Sequence, residues 1–449
     1  MTYCPSMAVA SAESGAASGD FDCEVIVVGG GPAGSTAATW LARAGRRVVL
    51  FERDEFPRFH IGESLLASVN DVLEAIGADR LIRQEGFPRK WGATFMSADG
   101  SIERHLDFGA APGVPTPQTW QVPRARFDDL LLRHAAANGV QVHERHRVID
   151  VAFDGDGVTA TVQDADSARR LVRARAIIDA AGRTALLSRK FQLRVDEPRL
   201  DNVAVFSHYS GVPRPEGRRA GDIRIVARDD LGWFWLIPIS DQLMSVGVVL
   251  PKGAMRSLAA LDHAAILERA IAETPAVARL LSNARREWPV RVEKDFSFGS
   301  RAYAGDRWML AGDAGSFLDP VFSTGVAIAL ESGLEAGRAM ADGLAAADLS
   351  LRSFASYARR QRQRYASFRR FVVGFYTPEF RDLFFAESPS PQMFRALVTV
   401  FAGYWRPALG TRLWIAVFFQ LVRLQRVFRL VPRVAVRQVD VALNKDASH

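Results

Sequence analysis

An apolar strand running into a G-x-G-x-x-G turn, a strand-rich middle carrying Trp-x-Trp, and a last hundred residues of basic helices predict an α/β (α+β) fold. A Rossmann-like βαβ unit is expected to be interleaved with a β-sheet substrate domain and followed by a helical C-terminal region. The layout read from the chain is a disordered leader over 1–21, an interleaved nucleotide-binding and sheet module over 22–350, and helices over 351–449.

The βαβ start is the most specific of these signals. The apolar run from Val25 is closed by Gly29, Gly31 and Gly34, and a helical stretch then runs from Ser35 to Ala44, where Gly45 stops it. Gly29 permits the tight turn, Gly31 lets backbone N–H groups approach a pyrophosphate, and Gly34 lets helix and strand pack closely. Pro32 and Ala33 lie where unpaired helix donors face the anion. The next strand, Val48 to Phe51, ends on Glu52 and Arg53, about 20 residues past the glycines, where a ribose contact belongs.

Further elements follow in order. The stretch Phe56 to Leu65 either lines a cofactor or is a turn capped by Ser64, and it leads into a helix through Ile76 that ends at Gly77. Gly86 to Phe95 reads as a loop entering a strand, and Lys90 taken alone is an ordinary surface lysine. Arg124, ahead of a helix from Phe127 to Ala137, reaches a phosphate or caps the sheet edge. Val140 to Asp150 and Gly157 to Gln163 read as strands joined by a turn at Asp154 to Gly157. His134, His143 and His146 lack metal-ligand spacing, so no metal site is expected.

The strand from Ala174 to Ile178 ends in Asp179 and Gly182, which is a second dinucleotide contact or a plain turn. Alternation along Trp233 to Pro238 puts Trp233 and Trp235 on one face, packing a core or walling a cavity. A strand from Arg307 enters the turn at Asp313. Residues 315–325 then lead into a helix from Val326 to Ala346, whose free donors face an anion or are capped by Ser323 or Thr324.

Composition excludes several classes. The net charge of +7 and pI near 9.7 favour acidic partners, but no aromatic-interleaved basic repeat supports nucleic-acid binding. Two cysteines, Cys4 and Cys23, make no disulfide framework and fit a reducing cytoplasm. The leader lacks a secretory pattern, and no apolar run is long enough to span a membrane. At the C-terminal end, Phe354 to Arg370 reads as a basic helix, a second helix starts at Thr377, and Ala386 to Pro391 is a linker. Trp405 to Val436 then interleaves apolar clusters with Arg412, Arg423, Arg426, Arg429, Arg433 and Arg437. That region is a lid with a solvated arginine face, or a docking surface for an acidic partner or an anionic membrane.

Together, Gly29 to Gly34 with Glu52 and the turns at Asp179 and Asp313 resemble the FAD-binding pattern of p-hydroxybenzoate-hydroxylase-like flavoproteins over residues 22–346. Trp233 to Pro238 resembles the W-x-W-x-I-P signature of flavin-dependent halogenases, and Phe317, Pro320, Ser323 and Gly325 resemble that family's second motif. The resemblance implies FAD held by Gly29, Gly31, Pro32, Ala33, Gly34, Glu52, Arg53, Arg124, Asp179, Gly182 and Asp313. It implies reduced FAD from a separate flavin reductase, oxygen, and chloride or bromide held at Ser323, Thr324 and Gly325, yielding hypohalous acid.

Lys90 then falls at the catalytic lysine, with its amine expected among Phe87, Trp91 and Phe95, and Trp233 and Trp235 shield the substrate from the flavin. Tryptophan halogenases carry a glutamate where this chain has Phe322. The implied substrate is therefore a phenol or a pyrrole, free or tethered to an acyl carrier protein, in secondary-metabolite biosynthesis. The alternative is a class A flavin monooxygenase or related FAD-dependent oxidoreductase, which needs neither Lys90 nor the tryptophan pair.

Overall fold

The computed structural model describes residues 21–434 except 259 and 387–389. The leader up to residue 20, half of the expected linker at 386–391 and Arg437 lie outside the described residues. Two eight-stranded sheets organise those that are described.

The first sheet is built on parallel strands. Cys23–Val28 lies between Val48–Phe51 and Arg169–Asp179, with Gln141–His143 and Trp308–Leu310 further out on either side. The central strands Cys23–Val28 and Val48–Phe51 read as near-continuous apolar runs because both faces are covered. The helices Pro32–Arg43 and Thr324–Ala345 close one side. The expected single strand from Val140 to Asp150 is interrupted. Arg145 takes a positive φ of 58°, so Gln141–His143 stays in the parallel sheet while Arg147–Phe153 leaves to pair with Val158–Gln163.

The second sheet is mainly antiparallel. Its centre is the pairing of Trp233–Pro238 with Leu243–Pro251 and Ile223–Ala227, and Gly92–Met96 joins Ile223–Ala227 in parallel. Alternation holds: Trp233 and Trp235 face the core shared with the C-terminal helices, whereas Phe234 packs into a separate core beneath His263–Ala272. A two-residue ribbon, Arg89–Lys90 against Thr119–Trp120, stands apart from both sheets and carries the Lys90 backbone.

The C-terminal helices Leu351–Phe375, Pro378–Phe384, Pro391–Phe401 and Leu409–Phe428 belong to the same core as the tryptophan face. Arg381 locks them down. Its buried guanidinium donates to the carbonyls of Phe375, Arg228 and Leu231, beside the start of the tryptophan strand. Among the described residues no helix is long and apolar enough to cross a membrane.

Candidate active site

A cavity of about 450 Å³ opens at the C-terminal ends of the parallel strands and continues toward the tryptophan strand. Its first wall is the glycine turn. Gly29 has φ +100°, and a Cβ there would sit 2.4 Å from the Ala180 carbonyl oxygen. A Cβ on Gly34 would sit 1.9 Å from the Gly29 oxygen. Only glycine permits this closeness, and it leaves Gly29, Gly31, Pro32 and Ala33 on the cavity wall with Gly34 behind them. The turn thus has the shape of a pyrophosphate cradle, and the donors of the first helical turn face it.

The acids around the cradle differ in what they do. Glu52 is buried on the wall, where it accepts from Gly30 N at 2.6 Å and Asp54 N at 2.9 Å. Arg53 reaches Thr184 Oγ1 across the cavity mouth at 2.9 Å. Asp179 stands behind the wall, accepting from Ala181 N and Leu187 N and so shaping the turn through Gly182. Burial pushes its carboxyl up to about 6. Asp313 does reach the cavity, and burial likewise pushes it up to about 6, opposed by Arg183 and Arg124. The guanidinium of Arg124 is engaged by Asp128 in two bonds of 2.7 and 2.9 Å and by the Ile61 carbonyl, so it braces the 61–62 segment as well as lining the cavity.

At the far end, Ser323 and Gly325 line the cavity at the start of the helix Thr324–Ala345. Ser323 sits in the left-handed region at φ 56°, and its side chain makes no capping hydrogen bond to the helix. The capping role expected of Ser323 or Thr324 is therefore not taken up, and the first-turn amides keep their positive end toward the cavity. Thr324 itself is turned into the protein, with its Oγ1 buried and without a hydrogen-bond partner.

Lys90 is buried at 1 % exposure. Its Nζ donates to Ser64 Oγ and to the Leu65 carbonyl, each at 2.8 Å, and lies 5.3 Å from the Phe108 ring centre. The ring beside the ammonium is thus Phe108. Burial pushes the amine down to about 7, partly opposed by Asp222. Ser64 also lines the cavity, and so do Trp233 and Trp235, whose ring centres are 5.9 Å apart.

Two groups on the wall and one behind it escaped the sequence reading. Glu63 is buried against His208, Oε1 to Nε2 at 3.3 Å, and its Oε2 has no hydrogen-bond partner. His146 lines the cavity beside Glu52. Tyr376, at the end of a C-terminal helix, accepts from Trp233 Nε1 at 2.7 Å and donates to Asp319 Oδ2 at 2.7 Å. Glu63 was within reach of sequence reasoning, because it adjoins Ser64 in a segment too polar for core. His208 and Tyr376 carried no local signal.

The cradle and cavity define an FAD-binding flavoprotein, and the family profile for an FAD binding domain matches residues 22–368. The chain is 35 % identical over 374 residues to a flavin-dependent halogenase of Armillaria mellea, covering 79 % of this chain and 74 % of that one. It is 32 % identical over 394 residues to the 1H-pyrrole-2-carbonyl-(peptidyl-carrier protein) chlorinase of Pseudomonas fluorescens, covering 82 % and 87 %. Among solved structures, a flavoprotein/dehydrogenase of Cytophaga hutchinsonii superposes with TM-score 0.82 at 30 % identity, over 90 % of this chain and 99 % of that one. The myxobacterial chondrochloren halogenase superposes with TM-score 0.74 at 33 % identity, over 90 % and 96 %. The chain belongs to the flavin-dependent halogenases and is an FAD-dependent halogenating oxidoreductase.

Proposed function

We propose that this enzyme halogenates an electron-rich aromatic, a phenol or a pyrrole, with reduced FAD delivered by a separate flavin reductase and with chloride or bromide. The observation that carries the reading is Lys90: a buried amine near neutrality, hydrogen-bonded to a serine on the wall of a cavity that the tryptophan pair also walls. Gly29, Gly31, Pro32, Ala33 and Gly34 would cradle the pyrophosphate. Glu52, Arg53, Arg124, Gly182 and Asp313 would contact the rest of the cofactor, with Asp179 acting through the turn it shapes. When bound, reduced FAD supplies the oxygen activation that turns halide into hypohalous acid.

The chain's own residues do the remainder. The uncapped amides at Thr324 and Gly325, with Ser323 beside them, offer a halide a positive end without a competing carboxylate. Trp233 and Trp235 keep the aromatic substrate off the cofactor. Lys90 receives the electrophilic halogen, either donating a hydrogen bond as ammonium or using its lone pair as neutral amine, and a group near pH 7 holds both forms. A self-activated ring fits the absence of a carboxylate at Phe322. The Pseudomonas relative, by its name, acts on a carrier-bound pyrrole, which supports a tethered substrate as one form. Buried, free Cys23, with its thiol pushed up to about 12 by burial, suits a reducing cytoplasm.

The test is mass spectrometry of reactions with FAD, a flavin reductase, NADH, oxygen and bromide or chloride over free and carrier-bound phenols and pyrroles, beside Lys90→Ala. A halogen isotope pattern that the variant loses while still binding FAD is the expected result. Hydroxylated product without halogen, equal in both proteins, would move the enzyme to the aromatic hydroxylases.

A further inference from the structure

We propose that the outer face of the helix Leu409–Phe428 docks the protein on an anionic lipid surface. Of the fourteen large apolar side chains exposed among the described residues, seven fall between Leu409 and Leu430. Leu409, Leu413, Leu424 and Val427 recur at spacings that place them on one side of the helix, and Leu409 at 78 %, Leu413 at 64 % and Val427 at 71 % exposure stand in solvent. Trp414 and Phe428 widen that side. The buried residues Ile415, Phe418 and Gln425 occupy the opposite side, with Phe418 against Phe380 at 5.1 Å between ring centres. The helix therefore already spends one apolar face on the core and presents a second one outward, which a solvated lid helix does not do.

Charge identifies the occupant. From Ser388 to Val439 the sequence has eight arginines and no aspartate or glutamate. Exposed Arg412, Arg423 and Arg426 flank the outward stripe, and Arg429 and Arg433 follow it. One carboxylate, Glu379, lies within 3.4 Å of Arg426. A second copy of the chain packing through this face would bring the same arginines together, so self-association is disfavoured by the charge that accompanies the stripe. The stripe is a convex ridge on a single helix. A fluid headgroup layer accommodates a ridge without a matching groove, takes up Leu, Val, Phe and Trp at the acyl boundary, and offers phosphates to the flanking guanidiniums. The charge pattern and the convex single-helix ridge favour a lipid surface over an acidic protein.

The test is sedimentation of the full-length, FAD-loaded enzyme with phosphatidylcholine vesicles with and without phosphatidylglycerol. Binding is expected only with the anionic lipid, weakening as salt rises. Each arginine near such a surface contributes about fivefold, so the double variant Arg412→Gln/Arg423→Gln should bind about 25-fold more weakly. Leu413→Asp/Val427→Asp should abolish binding. These positions are exposed, and unchanged FAD content and thermal midpoint verify that the variants fold. Four outcomes would each overturn the proposal: no binding to anionic vesicles by the full chain, equal binding to neutral vesicles, a dimer in light scattering that the Leu413/Val427 variant dissolves, or binding seen only after removal of residues 435–449.

Discussion

Lys90 Nζ donates to Ser64 Oγ at 2.8 Å, and Ser64 stands on the wall of the cavity that the glycine cradle opens. The two come from different parts of the fold. Ser64 lies on the segment leading from the βαβ unit, and Lys90 lies on a two-residue ribbon against Thr119. The hydroxyl is thus the one-bond link between cavity and amine, and what it links to is a lysine whose charge burial opposes.

That opposition has a signature in stability. Lysine titrates near 10.5 when unfolded and near 7 in place, so between those values the unfolded chain holds more protons. Stability therefore rises with pH across that window, and the full penalty is present below it. Lys90→Met removes the penalty, and its loss of two hydrogen bonds costs only about 1–3 kcal/mol. The variant should exceed the parent in urea stability at pH 6–7 by on the order of a few kcal/mol, with the margin closing toward pH 10. Parallel stability profiles for the two proteins would mean that the amine is not held neutral by burial.

Two glycines should respond in opposite ways. A Cβ on Gly34 collides with backbone at 1.9 Å and cannot be relieved by a side-chain rotation, so Gly34→Ala should yield protein that fails to retain FAD or to fold. Gly325, in the first turn of its helix, has nothing within 4 Å of an added Cβ. Gly325→Ala should keep or raise the thermal midpoint, by up to about 1 kcal/mol in stability. It should also raise the halide KM, because the methyl group intrudes where the amides face the cavity. A Gly325→Ala variant with an unchanged halide KM would remove this helix start from halide binding.

What was legible in advance follows from how local each cause is. The cradle was readable because Gly34 is forced by the Gly29 carbonyl within one βαβ unit and the Gly29 turn, at φ +100°, is itself a local feature, although the clash that bars a side chain at Gly29 comes from Ala180. Trp233 and Trp235 were placed correctly on one face because strand alternation requires no knowledge of partners. Lys90 was different. A lysine beside a tryptophan has no local reason to be buried, and only the crossing of the Ser64 segment with the 89–90 ribbon makes it so. Asp179 and Glu52 illustrate the converse, since their positions at strand ends were clear but their division between cavity wall and turn support depends on backbone donors a few ångströms away. Tyr376 lies 143 positions from Trp233, and no periodicity connects them.

Tyr376→Phe tests that last connection. It deletes the acceptor of the buried Trp233 Nε1–H and one donor to Asp319, which also receives Asn202 Nδ2 at 2.9 Å. The cost should be about 1–3 kcal/mol. FAD affinity should not change, because Tyr376 is not on the cavity wall. If Trp233 orientation is what separates substrate from cofactor, the variant should release more hydrogen peroxide or hydroxylated product per halogenation. An unchanged product ratio would reduce Tyr376 to a structural tie.

Phe322 stands where the family resemblance puts a glutamate in tryptophan halogenases, and its surroundings say what such a carboxylate would meet. The ring stacks on Phe401 at 4.2 Å and 10°, with Phe375 at 5.7 Å and Phe95 at 6.0 Å. It is buried in this cluster, part of which comes from the C-terminal helices. Phe322→Glu would place a charge among rings with no partner supplied, so the carboxyl should protonate and the helices should loosen. The expected result is a loss of roughly 3–5 kcal/mol, measured by urea unfolding at pH 7, and a loss that shrinks as pH falls and the neutral acid dominates. Free tryptophan should remain unhalogenated. A stable Phe322→Glu enzyme that halogenates tryptophan would show instead that the cluster is a substrate pocket closed by a single ring.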